Sequence, residues 1–444
     1  MCMMEDEPGS MEPIDFDACG GPMHALASSL FPIHRSITGD GVRETLRRLG
    51  EHLPLVVHEV ATGTRVLDWT VPREWNVRAA YIEDDRGQRV VDVARHTLHL
   101  VGYSRPVDAV LTRAELEPHL HSRPDLPDAI PYVTAYYGDT WGFCLAHDAR
   151  QALPDGRYRV VIDAKLEDGA LTYGELLLPG ECEEEVLLST YVCHPSMANN
   201  ELSGPVVTAF LARWLRSAPR RYTYRIVFVP ETIGAITYLS RHLDTLRRRV
   251  VAGYVVTCIG DDRAYSYVPS RLGGTLADRA ALAVLAATRP GFRQYTYLDR
   301  GSDERQYCAP GVDLPVASVM RSKYREYPEY HTSQDDLTLV TPSGLQGGFD
   351  VLRDCIALIE RNATYRATCL AEPQLGRRGL YPSVGTADSH RVVADMLNVL
   401  AYADGDHDLI DLVQRLAIAP RRLYRIVDSL EAAGLLARSE RAEL

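Results

Sequence analysis

At 444 residues the chain is long enough for two or three folding units, and 46% hydrophobic with 24% charged residues is the balance of a globular protein with a real core. A net charge of −12 counts against broad binding to nucleic acid or anionic membrane, and no apolar run approaches the roughly 20 residues of a membrane span. Nine cysteines without a CxxC pair argue against a disulfide framework and against a structural zinc ribbon. The acidic start, MCMMEDEPGSMEP, lacks the basic and apolar regions of a secretory signal, so the expected location is cytoplasmic.

In chain order, MHALASSLF and GDGVRETLRRLGEHL place apolar residues at helical spacing. From about Ala61 the pattern changes to short alternating runs, RVLDWTV, RAAYIED, QRVVDVA and TLHLVGY, separated by turn signals such as DDRGQ. This β-rich unit closes near SRPDLPDAIPYV and the aromatic run TAYYGDTWGF. Its aromatics Trp69, Trp75, Tyr136, Tyr137 and Trp141 are expected to be core before they are a substrate platform. The unit itself is a candidate lid or oligomer contact.

From Tyr158 to about Ala363 strands and helices alternate. RYRVVIDA, EVLLSTYV, RYTYRIVFVP, VAGYVVTCIG and VDLPVASVM are strand-like, and SGPVVTAFLARWLRS, IGAITYLSRHLDTLRRR, TLADRAALAVLAATR and GLQGGFDVLRDCIALIERNA are helical. Strands apolar on both faces with helices between them predict a mostly parallel sheet covered on both sides. After the linker AEPQLGRRGLYPSVG, two amphipathic helices and a Gly-Leu-Leu read as a helix-turn-helix with a wing.

Ligands of open α/β sheets bind beyond the carboxyl ends of the strands. The residues that follow the strands here are His194 with Asn199, Asn200 and Glu201, then Glu231, then Asp261 and Asp262. The loop RGSDERQY adds Asp303, Glu304 and Arg305, and RSKYREYPEYHTSQDD adds Tyr330, His331, Asp335 and Asp336. Singly, each has a bland reading: a surface histidine, an Asn-Asn turn, a helix cap. Together, imidazoles and carboxylates at one sheet edge have the composition of a hydrolytic metal site, with Glu231 the candidate base.

HPS…NNELSG, PETIGAITYLS, GSDERQY…GVDLP and YHTSQDD, in this order, resemble the zinc aminopeptidase and carboxypeptidase superfamily. From FPIHRSITGDGVRETL through DWTVPREWNVRAAYI to the C-terminal helices, the chain more closely resembles bacterial aminopeptidase-like proteins often labelled polysaccharide biosynthesis proteins. The resemblance implies a zinc-peptidase-like three-layer sandwich of α/β class, with a mostly parallel central sheet, an inserted β-rich domain and a C-terminal winged helix. The expected boundaries are 1–60 plus 154–370 for the peptidase-like unit, 61–153 for the insertion, 371–384 for a linker and 385–444 for the winged helix.

By position, the resemblance implies metal roles for His194, Asn200, Asp261 (or Asp262) and His331, and a catalytic role for Glu231. Asn200 stands where the superfamily has a bridging aspartate, and Thr232 where it has a second metal glutamate. Two ions need such carboxylates to offset their charge, so one zinc is expected, with Glu201 a substitute carboxylate. The expected function is hydrolysis of an amide or peptide bond in a small aminoacyl or acylamido substrate, in glycan or natural-product metabolism. Asp303, Arg305, Tyr330 and Glu201 are the expected substrate contacts, an α-amine favouring Asp303 and a carboxylate Arg305.

The alternative is a degenerate peptidase fold that binds or regulates through its winged helix. Only Arg421, Arg422 and Arg425 would face DNA from APRRLYRIVDSL, with Asp428 and Glu431 close behind, so DNA is not an expected partner. Whether those arginines are exposed or tied to acidic groups discriminates the two readings. A homo-oligomer is expected on general grounds alone.

Overall fold

The computed structural model describes residues 14–381 and 387–439. The N-terminal stretch read above as lacking a signal, and part of the expected linker, lie outside the described residues. Among those described, no helix is long and apolar enough to cross a membrane.

An eight-stranded sheet forms the centre. Its middle is parallel: Thr223–Val229, Glu185–Tyr191, Val250–Val255 and Val316–Met320 lie side by side in that order. Antiparallel pairings flank this middle on both sides. Strand Glu185–Tyr191 is buried at every residue, which is why it reads as a continuous apolar run.

Helices Gly20–Leu30, Ser203–Arg216, Leu276–Thr288 and Pro342–Arg361 cover one face through Met23, Val207, Phe210, Val284 and Leu352. Helix Ile233–Arg249 and the inserted unit cover the other through Tyr238, Leu239, Trp75 and Phe143. The layers press close. A Cβ on Gly204 would sit 2.3 Å from the Val256 carbonyl oxygen, so the helix that follows the NNELSG turn needs glycine there.

Two domain edges differ from the expected ones. Strand Arg157–Glu167 pairs with Glu74–Glu83 and Val107–Thr112, so the inserted sheet runs past residue 153 before the chain returns to the central sheet. At the other end, Thr364–Ala367 is the middle strand of a three-stranded sheet with Asp404–Asp408 and Leu436–Arg438. The winged-helix unit therefore begins near residue 363, not 385. One four-residue strand carries too little pattern to be assigned to a sheet completed some 40 to 70 residues later.

Helices Leu409–Leu416 and Pro420–Ala432 form its helix-turn-helix. Arg421 pairs with Asp354 at 2.9 Å and Asp17 at 3.6 Å, Arg422 pairs with Asp395 at 2.5 Å, and Arg425 is exposed. Asp428 of the same helix is held by Arg361.

Candidate active site

Four segments meet beyond the carboxyl ends of the parallel strands. His194 follows strand Glu185–Tyr191, Glu231 follows Thr223–Val229, Arg305 lies in the short helix Glu304–Tyr307, and His331 lies after strand Val316–Met320. They line a cavity of about 470 Å³ with Trp69, Tyr132, Thr134, Tyr136, Tyr137, Cys193, Thr232 and Ile233. Its walls are aromatic and its base is ionisable.

His194 is held from behind. Its Nδ1 meets Glu201 Oε2 at 2.8 Å, and its Nε2 lies 3.5 Å from Glu231 Oε2. The Arg35 guanidinium, fully buried, donates to the His194 carbonyl at 2.9 Å and approaches Glu201 at 3.6 Å. A carboxylate on Nδ1 fixes the ring and leaves Nε2 for the cavity, the usual support of a metal-ligating histidine. Burial alone would depress the His194 pKa, but the Glu201 hydrogen bond and the charges of Glu201 and Glu231 lift it above the ordinary value.

Glu231 keeps 20% of its side chain exposed, toward the cavity. Burial raises its pKa, opposed by the charges of His194 and Arg305. Thr232, the next residue, has φ +64°, unusual for a β-branched side chain. Asp303 pins that turn by accepting the Thr232 N–H at 2.7 Å, and Arg305 Nη2 donates to the Thr232 hydroxyl at 2.5 Å. Strain of this kind persists only where the surroundings fix it, and here it aims Glu231.

His331 also has positive φ, +58°. Its ring is stacked on Tyr330 at 4.0 Å, and Tyr132 stands edge-on to both His331 and His194 at 5.1 and 5.2 Å. Burial, with the charges of His194 and Arg325, pushes the His331 pKa down to about 3, so the ring is neutral at ordinary pH.

Several expected roles are corrected by this geometry. Asp261 is not available as a ligand: Oδ1 accepts from the Arg263 N–H and the Ser322 hydroxyl, and Oδ2 from the Ser322 N–H and the Asn199 amide, at 2.8–3.0 Å. Asp262 instead accepts from Thr341 and Ser343 at the start of helix Pro342–Arg361. Glu201 lies behind His194 and outside the cavity lining, with Oε2 on the imidazole and Oε1 without a hydrogen bond, 3.6 Å from Arg35. Asp303 holds the Thr232 turn and Tyr330 backs His331, and neither lines the cavity. Glu231, His194, His331 and Arg305 do line it.

Asn200 is buried. Its Nδ2 donates to the Tyr191 hydroxyl at 2.8 Å, while its Oδ1 has no hydrogen-bond partner. His194, His331 and Glu231 thus face the cavity with ligating atoms, and Asn200, outside its lining, adds the unpartnered amide oxygen. Imidazoles with carboxylate and amide oxygens are the donor chemistry of a zinc-type cation. Among the described residues, the only His/Cys/Asp/Glu cluster with ligand atoms all within 4.8 Å is Cys193–His194–Glu201. Arg35 already faces its carboxylate there.

The sequence reading missed Arg35 and Tyr132, and it favoured the core for Trp69, Tyr136 and Tyr137. Trp75 and Trp141 are core, 2% and 6% exposed, but Trp69 and Tyr137 are 40% and 57% exposed at the cavity mouth. Arg35 lies in the quoted FPIHRSITGDGVRETL stretch, which was its one available signal. Tyr132 is placed by contacts between distant segments: its N–H donates to the His331 carbonyl at 2.9 Å, and Ile130 N–H to Ser333 at 3.0 Å.

Comparisons with known proteins agree with this architecture. Residues 24–362 match the family described as Domain of unknown function (DUF4910), and residues 363–438 match a winged helix-turn-helix family. A relative from Clostridium acetobutylicum, provisionally named a polysaccharide biosynthesis protein with an aminopeptidase-like domain, is 42% identical over 419 residues, covering 94% of this chain and 96% of its own. A crystal structure from the same organism, provisionally named a peptidase, has a TM-score of 0.89 at 41% identity, covering 96% of this chain and 97% of that one. A zinc aminopeptidase from Bacillus subtilis shares the fold at a TM-score of 0.56 and 12% identity, over 78% of this chain and 94% of its own.

Proposed function

The chain belongs to the DUF4910 family, and from that premise and the site's geometry we propose that it hydrolyses an amide bond in a small aminoacyl or acylamido compound. The observation that carries this reading is the Glu201–His194–Glu231 arrangement at the base of an aromatic-walled cavity. The name of the C. acetobutylicum relative supports glycan metabolism as the setting.

His194, His331 and Asn200 would hold one zinc-type ion. When bound, such an ion supplies carbonyl polarisation and a more acidic water. Glu231 takes the proton of the attacking water on its carboxylate and returns it to the departing nitrogen as the C–N bond breaks, ending unchanged. Its semi-buried position strengthens it as a base, and the charges of His194 and Arg305 favour its ionised form. Glu201 holds the imidazole in place, and the Tyr132–Tyr136 pair, joined at 2.6 Å, forms part of the aromatic wall beside it.

The test is metal content with turnover. Elemental analysis should find about one zinc per chain, lost in His194→Ala together with hydrolysis of a panel of acyl amino acids and dipeptides. Two ions per chain, or none after zinc is supplied, overturns the reading.

For the winged helix we propose a packing role and not DNA reading, supported by the pairing of Arg421 and Arg422 with acidic groups. Retention of the full chain on duplex DNA at physiological salt would overturn it. Cytoplasmic residence and a homo-oligomer are proposals that cell fractionation and light scattering test.

A further inference from the structure

Arg305 lines the cavity without a direct ion-pair partner, although Glu231 shares the cavity with it. Its Nη2 is held by the Thr232 hydroxyl and its Nε is buried with no partner, and among the described residues it forms no ion pair within 4.0 Å. The residue is half-buried, and a guanidinium that lines a cavity presents a planar fork of donors to an arriving oxyanion.

Neither acidic neighbour in sequence, Asp303 or Glu304, lines the cavity. Asp303 is fully buried, accepts the Thr232 N–H, and stands outside the cavity lining. An amine arriving in the cavity would meet the guanidinium and, of the two carboxylates, only the Glu231 that the proposed chemistry needs as its base. Glu231 shares the cavity with Arg305, so a dianion such as phosphate would meet more repulsion there than a carboxylate monoanion. Trp69, Tyr136, Tyr137 and Ile233 offer apolar surface for the rest of the molecule.

We propose that the substrate is a small amide bearing a free carboxylate that docks on Arg305, so that the cavity takes N-acylated amino-acid-type compounds in preference to compounds that present a free amine. This rests on the reading of the cavity as an active site, but its test does not depend on turnover. Thr232 is then a positioning residue for Arg305, which is the substrate's anchor.

The experiment is calorimetric titration of the full chain, carrying Glu231→Gln to prevent turnover, with N-acetyl-L-tyrosine and with N-acetyl-L-tyrosinamide. The two probes differ only in the carboxylate. The acid is expected to bind about tenfold more tightly or better. Arg305→Gln should erase that preference and Arg305→Lys should retain part of it, because lysine keeps the charge and loses the fork. Should Arg305→Gln melt early, Arg305→Met, which keeps the apolar stem, takes its place. Equal binding of the probes, tighter binding of the amide, binding of neither, or a preference that survives the loss of Arg305 overturns the proposal. A failure of the hydrolase reading would show separately, as an acid preference without turnover by the unmodified chain.

Discussion

Strands Glu185–Tyr191 and Val250–Val255 are neighbours in the central sheet, and each delivers a polar cluster to the same edge. At the first, His194 keeps one ring nitrogen toward the cavity, beside an exposed part of Glu231 and within reach of an unpaired Arg305. At the second, Asp261 has both oxygens occupied, and its partner Asn199 also accepts the Gly260 N–H at 2.8 Å. One corner leaves polar groups facing a cavity, and the other uses the same residue types to tie loops together. The type of residue at a strand end therefore does not mark the site. What marks it is the hydrogen-bonding capacity left after the fold is complete.

The largest effect expected of this contrast is at Glu231. Glu231→Gln should lower amide hydrolysis by ~10²–10⁴-fold with the melting temperature little changed, measured as kcat on the panel above. A loss of stability in place of activity would move Glu231 into the structural corner. Asp261→Asn should do the reverse, since it sets an NH₂ group against donors. We expect a loss of about 2–4 kcal/mol in urea unfolding, with kcat retained where the protein is folded. Loss of bound metal from folded Asp261→Asn would break the comparison.

Protonation sharpens it. His194, in the open corner, is raised, whereas burial pushes His34 and His96, which lie outside it, down to about 4. A depressed histidine favours the neutral form in the fold, while the unfolded chain takes up the proton below about 6.5. The stability tied to these two residues is therefore fully present above about 6.5 and is lost as pH falls toward 4. Urea unfolding at pH 7 and pH 5 should differ by ~1–2 kcal/mol per histidine, and His96→Gln should reduce the difference. The smallest effect lies in the winged helix: Asp354→Asn, which weakens the partly exposed Arg421 pair, should cost ~0.5–1 kcal/mol.

That His194, Glu231 and His331 meet at one cavity was legible because each follows an apolar strand run or sits in a quotable motif, and the central sheet was legible for the same reason. Asp261 was not, because nothing in IGDDR reveals that Ser322 and Asn199 fold onto it. Asp303 and Arg305 are two positions apart and equally suited to bind a substrate on paper. The strained Thr232 turn engages both, the first through its N–H and the second through its hydroxyl, and only the second lines the cavity. Tyr132 lay in a proline-bearing stretch without periodicity, and its place depends on contacts with residues some 60 to 200 positions away.

The pairing of Pro131 with Thr332, and of Tyr132 with His331, joins the inserted unit to the loop that carries the second histidine. The cavity is thus jointly owned: neither the peptidase-like unit nor the insertion contains a complete one. A partly made chain with a folded sheet but an undocked insertion would have an unfinished site, so any activity of this centre awaits the assembly of both units. A shortened relative lacking the insertion would inherit the histidines without the chamber around them.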